Sequence, residues 1–321
     1  MSSVNYVPKI SLNDGNSMPA LGLGIFGTDD DHSQSVVTEA IKVGYRLLDT
    51  AALYGNEVGI GRAIKSAEVE RKDLFVITKL HENVNTYDGA LQEFEVSLKK
   101  LDLEYIDLYL IHWPQPKVDK YVEIWKAFET IKASGLARSI GVSNFTAHQL
   151  ERLRSETDIL PVVNQIELHP TFQQQAMRDV NASFEIVTQA WSPLGGQRQF
   201  KKLLELHKVP DDENPVLLGL GAKHNLTPTE MRRYLEALPV DTIFGNETLS
   251  AIARKHGKSV AQVVLRWHVE IGSVPLPKTE NFARLQENFD VFDFVFDEED
   301  RLAIDGIETG VRTGFDPDLF N

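Results

Sequence analysis

Three consecutive stretches decide the fold: Phe75-Val-Ile-Thr-Lys-Leu80, Tyr87-Asp-Gly-Ala-Leu-Gln-Glu-Phe-Glu-Val-Ser-Leu-Lys-Lys-Leu101 and Ile106-Asp-Leu-Tyr-Leu-Ile-His112. The first and third are short, apolar and rich in β-branched and aromatic residues, which suits strands. The middle stretch places apolar residues at helical spacing and has the length of a helix. A strand, a helix and a second strand in that order imply parallel strands joined by a crossover.

The same rhythm extends in both directions. Strands are expected at Leu21–Gly24, Leu47–Thr50, Phe75–Leu80, Ile106–His112, Ser139–Ser143, Val162–Leu168, Ile186–Trp191 and Val274–Pro277. Helices are expected at Ser33–Val43, Tyr87–Leu101, Tyr121–Ser134, Thr146–Ser155 and Leu249–His268. Eight units point to a closed (β/α)8 TIM barrel, an α/β fold, spanning 1–321 as a single domain. The alternative is an open doubly wound sheet. Its G-x-G-x-x-G signature is missing, since Gly22-Leu-Gly24-Ile-Phe-Gly27 is off by one residue and the next helix starts later.

Two additions surround the barrel. Asn13-Asp14-Gly15 between short apolar stretches predicts an N-terminal β-hairpin. After the seventh strand a long insertion, residues 197–246, separates Trp191-Ser-Pro-Leu-Gly-Gly196 from the next helix. Within it Thr227-Pro228-Thr229-Glu230 reads as a capping box that opens a short helix through Leu238. Connections of this length are often lids or binding loops, so it is expected to cover a cofactor or narrow a substrate mouth.

Composition narrows the function. The 321 residues include no cysteine, which excludes disulfides, thiolate metal sites and cysteine nucleophiles. Lys plus Arg is 33 against 47 Asp plus Glu, a net charge of −14. Such a surface repels phosphate backbones and anionic lipid, so no nucleic-acid or membrane partner is expected. There is no signal-like apolar start, and the apolar runs are strand-sized. A cytoplasmic protein is the expectation. His81, His169 and His224 form no metal-binding spacing, and the acidic runs Asp29–Asp31 and Glu298–Asp300 read as solvated, the second favouring a helix start.

Parallel barrels carry their active sites at the C-terminal ends of the strands. Asp49, Lys79 and His112 close the second, third and fourth strand candidates, and Tyr54 follows the second. Such residues offset one another's burial cost by converging. Together they suit carbonyl reduction, which requires a hydride and a proton. A phenol is a weak acid near neutrality; the Lys79 ammonium is expected to lower the pKa of Tyr54 and make it the general acid. Asp49 would hold Lys79 charged, and a neutral His112 would hydrogen-bond the carbonyl oxygen. At the last strand-to-helix turn Lys278, Thr279 and Arg284 offer two cations and a hydroxyl, a set suited to a 2′-phosphate and hence to NADPH.

Leu48-Asp-Thr-Ala51, Tyr54-Gly-Asn-Glu57, Thr78-Lys79-Leu80 and Ile111-His112-Trp-Pro114 resemble the aldo-keto reductase family. So do Ser139-Ile-Gly-Val-Ser-Asn-Phe145, Val163-Asn-Gln-Ile-Glu-Leu-His-Pro170, Leu276-Pro-Lys278-Thr279 and Arg284-Leu-Gln-Glu-Asn288. Trp191, with Gln262–His268 and Asn288–Asp293, is similar to the bacterial 2,5-diketo-D-gluconate reductase branch. The resemblance covers nearly the whole chain apart from the insertion. It implies a barrel with NADPH extended across its C-terminal face and the tetrad Asp49, Tyr54, Lys79 and His112.

It further implies that Ser143, Asn144 and Gln165 hold the nicotinamide carboxamide while Trp191 stacks on its ring. Gly24, Ile25, Phe26, Asp49, Ser192 and Leu194 extend that surface; Lys278, Thr279 and Arg284 take the 2′-phosphate, and Glu287 and Asn288 the adenine. Phe26, Tyr54, His81, His112 and Trp113 would surround the substrate, a small or sugar-derived carbonyl compound. His81 stands where that branch often carries Trp, a departure that weighs against a sugar-acid specificity. No metal is implied, and a monomer is expected. Two other readings remain open: a cofactor-binding sensor on the same barrel, and a metal-dependent barrel hydrolase, for which no G-x-S-x-G or H-E-x-x-H motif is found.

Overall fold

A computed structural model describes residues 7–195, 210–214, 217, 218, 221, 226–237 and 243–318. The hairpin forms first, with β1 (Lys9–Ser11) antiparallel to β2 (Ser17–Pro19). Eight parallel strands follow in chain order: β3 (Leu23–Gly24), β4 (Leu47–Asp49), β5 (Phe75–Lys79), β6 (Ile106–Ile111), β7 (Ala137–Ser143), β8 (Val163–Glu167), β9 (Val187–Trp191) and β10 (Val274–Pro275). Gly22 N donates to Pro275 O and Gly24 N to Pro277 O, both at 3.1 Å, which joins the first strand to the last and closes the barrel.

Burial on both faces explains why the strands read as continuous apolar runs. Leu47, Ile77, Leu108, Leu110, Val163 and Val274 point inward and pack with Leu12 and Met18 of the hairpin, which plugs the interior. Leu48, Val76, Tyr109, Ile111, Ile140 and Val142 point outward against the helices.

The helices include α1 (Asp30–Val43), α2 (Glu57–Lys65), α3 (Tyr87–Leu101), α4 (Tyr121–Ala133), α5 (Ala147–Glu156) and α6 (Gln175–Ser183). α3 starts where Thr86 accepts from Gly89 N and stops where Asp102 turns left-handed.

Two expectations need correction. The single helix over Leu249–His268 is two helices, Glu247–His256 and Val260–Glu270. Gly257 leaves the first at φ +63°, and Ser259 with Gln262 forms a capping box that opens the second. The apolar period ran across this break because both helices bury the same side of the sequence. The acidic runs are also more than solvated. Asp29 caps α1, Asp30 accepts from Gly59 N at 2.7 Å, and Asp31 pairs with Arg62 at 2.7 Å. Asp300 is buried beside Lys255 and His256.

Most of the insertion lies outside the described residues. Its helix Pro228–Ala237 is present with the expected box, Glu230 N donating to Thr227 Oγ1 at 3.3 Å and Thr227 N to Glu230 Oε2 at 2.8 Å. Leu238, its expected last residue, is outside the described set.

His268 is fully buried, its Nδ1 2.9 Å from Ser273 Oγ and its Nε2 3.4 Å from Pro193 O. Burial pushes its pKa from 6.5 down to about 3. The unfolded chain therefore binds a proton that the folded one refuses as pH falls below 6.5, and the resulting loss grows until pH reaches about 3. We expect this residue to cost about 1.4 kcal/mol of stability per pH unit in that window. Urea midpoints at about pH 7 and pH 5 should converge for His268→Gln relative to the parent protein; an unchanged acid sensitivity would contradict the assignment.

Candidate active site

The C-terminal ends of β3 to β9 open into a cavity with about 1250 Å³ of empty space, continuous with solvent. Asp49, Tyr54, His112, Ser143, Asn144, Gln165, Trp191, Ser192, Leu194 and Lys278 all line it, with Gly24, Ile25, Phe26 and Trp113. The strand ends thus gather residues from the whole length of the sequence.

At the floor Lys79 is fully buried. Its Nζ donates to Asp49 Oδ1 at 2.9 Å, Asp49 Oδ2 at 2.8 Å and Thr50 O at 2.8 Å. All three ammonium protons are thereby used. Burial lowers the Lys79 pKa, against the opposing pull of Asp49. Tyr54 lies over this pair, the Lys79 nitrogen 5.1 Å from its ring centroid. Edge contacts with Phe26 at 4.9 Å and His112 at 5.7 Å fix the phenol ring.

The expectation that Lys79 lowers the Tyr54 pKa is overturned. Burial holds the phenol well above the usual tyrosine value, and the Asp49 and Glu82 carboxylates push it further the same way. The ammonium does not reverse this, because the Asp49 carboxylate paired with it opposes its charge at the phenol. Tyr54 therefore stays protonated throughout the neutral range.

The loop carrying Tyr54 is locked from behind. Thr50 Oγ1 donates to Asn56 Oδ1 at 2.7 Å, and Asn56 Nδ2 donates to Ile25 O at 2.7 Å. Asn56, one residue after the Gly55 turn, gave no separate signal in the sequence.

The amide-bearing residues form a connected wall. Gln165 Nε2 donates to Asp49 Oδ1 at 2.9 Å and to Gln189 Oε1 at 3.1 Å. Asn144 adopts φ +64°, accepts from Trp191 Nε1 at 2.8 Å and donates to His112 O at 3.1 Å. Ser143 Oγ donates to Gln165 O at 2.9 Å. Ser143, Asn144 and Gln165 are buried yet face the cavity, a donor and acceptor set that matches a carboxamide. The Trp191 ring forms the adjoining wall.

The far end of the cleft is cationic but already engaged. Lys278 Nζ pairs with Glu280 Oε1 at 2.7 Å, and Glu280 also faces His32 Nε2 at 3.3 Å. Thr279 is buried and accepts from Asn281 N at 3.1 Å, while Arg284 is exposed on the helix Phe282–Phe289. Glu287 is half-buried on that helix and Asn288 is buried. Thr279, Arg284, Glu287 and Asn288 do not line the cavity itself. His81 differs from expectation as well: it lines a smaller adjoining cavity with Glu82 and Trp113 rather than the substrate cleft.

Several lining residues escaped the sequence reading. Glu82 is buried, with its carboxylate oxygen 2.8 Å from His112 Nδ1. Phe315 forms a cavity wall from the far end of the chain, stacked 6.2 Å from Tyr234 of the insertion helix. Its segment is pinned by Glu167, which accepts from Thr313 N at 2.6 Å and Gly314 N at 3.1 Å. A Cβ on Gly314 would lie 2.3 Å from the Trp191 ring, so the backbone itself presses that ring into place. Glu167 was visible in the sequence only as part of a motif; its partners are remote.

Residues 20–309 match the family model described as Aldo/keto reductase family. Methylglyoxal reductase DkgA of Yersinia pestis is 41% identical over 313 residues, covering 98% of this chain and 97% of the relative. Morphine 6-dehydrogenase of Pseudomonas putida is 41% identical over 310 residues, covering 97% and 94%. Among solved structures, a Gox0644 variant in complex with NADPH superposes with TM-score 0.81 at 37% identity, covering 99% of this chain and 100% of the other.

Proposed function

The chain belongs to the aldo/keto reductase family, and on that premise we propose that it reduces small aldehydes and ketones with NADPH, using Tyr54 as the proton donor. One observation carries the residue assignment: Tyr54 stands over the buried Lys79–Asp49 pair and edge-on to His112, in a cleft whose neighbouring wall is Ser143, Asn144 and Gln165.

The donor set fits NADPH. Ser143, Asn144 and Gln165 would hold the carboxamide, Trp191 would face the nicotinamide ring, and Lys278 with Arg284 would take the 2′-phosphate. When bound, the cofactor supplies the hydride. The chain's own contribution is positional and electrostatic. Phe26, Leu53, Trp113, Trp191 and Phe315 exclude water around the carbonyl. Tyr54 delivers a proton to the carbonyl oxygen as negative charge develops there, and the Lys79–Asp49 pair keeps the phenol in place.

Aromatic walls and few charged groups favour compact, partly apolar carbonyl compounds, including methylglyoxal-like aldehydes and β-keto esters. A panel of these with NADPH, followed by cofactor absorbance, tests the reading. Turnover of several supports it; tight NADPH binding with no turnover of any would replace it with a sensor.

Lys278→Ala should weaken NADPH binding about tenfold or more, the loss of a charge-assisted hydrogen bond, with little change for NADH. Calorimetric titration with both cofactors checks this, and equal losses would remove the phosphate assignment. The protein is further read as a cytoplasmic monomer. The absence of cysteine is compatible with a reducing compartment, and among the described residues no helix is long and apolar enough to cross a membrane. Light scattering should give a single-chain mass of 36.1 kDa.

A further inference from the structure

Glu82 follows β5 by three residues and is buried at 7% exposure. Its Oε1 lies 2.8 Å from His112 Nδ1, and the two side chains are 2% and 9% exposed. The contact is short but bent, neither atom meeting the alignment of a linear hydrogen bond. Contacts of this kind commonly tighten when substrate binds. Aligned in a hydrogen bond at that separation, the two atoms need a proton between them, since two facing lone pairs would repel.

We propose that Glu82 is a positioning residue that keeps a proton on the Nδ1 side of His112, so that Nε2 can donate to a carbonyl oxygen only when the Glu82–His112 pair holds two protons. With one proton, shared at Nδ1, Nε2 presents a lone pair and repels the carbonyl oxygen. With two, whether the shared proton sits nearer the carboxylate or the ring, Nε2 carries a hydrogen aimed outward. This replaces the expectation that a singly protonated, neutral His112 serves as the donor. The inference rests on the carbonyl-reductase reading and deepens it.

The surroundings leave this role to Glu82. His81 Nδ1 is 3.9 Å from Glu82 Oε2 but accepts from Asn83 N at 3.2 Å, so its nearer nitrogen has no proton to offer. Lys79 is committed to Asp49 and Thr50. Tyr54 presents its ring edge to His112. Lys120 and Tyr121 line the cavity beside Glu82; Lys120 pairs with Glu123 at 2.9 Å, and the Tyr121 hydroxyl accepts from Arg152 at 3.4 Å.

The test has two readouts. In the parent enzyme, kcat/KM for reduction should fall about tenfold per pH unit above the transition at which the pair loses its second proton. Tyr54 stays protonated through that range, because burial holds its phenol far higher. In Glu82→Gln the amide can donate to Nδ1 and leave hydrogen on Nε2 of a neutral ring, so the fall should vanish from that range while NADPH affinity is kept. An unchanged transition in that variant would overturn the proposal. Histidine 15N spectra of the parent protein, with His112→Asn for assignment, need no turnover and no folded Gln variant. Above the transition they should show hydrogen on Nδ1 and a bare Nε2; the opposite tautomer sinks the idea. Failure of the parent enzyme to reduce any carbonyl would instead strike the functional reading and leave the tautomer result standing.

Discussion

Tyr54→Phe should fold normally, bind NADPH with unchanged affinity and lose about 10²–10⁴-fold in carbonyl reduction, the range general-acid catalysis contributes. The substitution keeps the ring, so the edge contacts with Phe26 and His112 survive. It removes the hydroxyl alone, and no hydrogen bond of that hydroxyl holds the fold together among the described interactions. The buried Lys79–Asp49 pair also remains intact, because its bonds run to Thr50 O and not to the phenol. Single-turnover kinetics with saturating NADPH measure the effect on the chemical step. A variant that turns over at the parent rate would remove Tyr54 from the proton-donor role.

The second large effect is on stability. Lys79→Met leaves the Asp49 carboxylate buried without its cation, with the Gln165 amide at 2.9 Å as a donor that remains. Removing one member of a buried ion pair typically costs about 3–5 kcal/mol, because the other charge is left in a low-dielectric site. Urea unfolding should register a loss of that order, together with loss of turnover. The double variant Lys79→Met/Asp49→Leu should recover much of the stability and none of the activity, since an apolar pair can replace a buried ionic one with little cost. A Lys79→Met protein as stable as the parent would mean that Asp49 takes up a proton freely, and that the pair contributes orientation but not stability.

Much of this molecule was legible before any coordinates. The hairpin at Asn13-Asp14-Gly15, the helix at Tyr87–Leu101 and the eight parallel strands all appear where local patterning places them. Asp49, Lys79 and His112 from three strand ends and Tyr54 from the following loop lie near one another, because barrel topology sends the C-terminal end of every strand to one rim. The missed helix break at Gly257 was written in the sequence too: Gly257 followed by Ser259-x-x-Gln262 is a stop and a start. Continuous apolar spacing hid it.

What the sequence determined by itself was whatever depends on near neighbours: element type, order and the parallel arrangement that sends strand ends to one rim. What tertiary structure decided was the protonation chemistry. Tyr54 looked like a phenol acidified by Lys79, yet the ammonium spends its protons on Asp49 and Thr50 O and the phenol is driven the other way by burial. Glu82 gave no signal in the sequence; folding set it against His112, and Phe315 joined the cleft from the opposite end of the chain. The physical reason is the same in each case. Desolvation and the saturation of hydrogen-bond donors depend on which groups surround an atom in space, and those groups arrive from strands and loops that no local pattern connects.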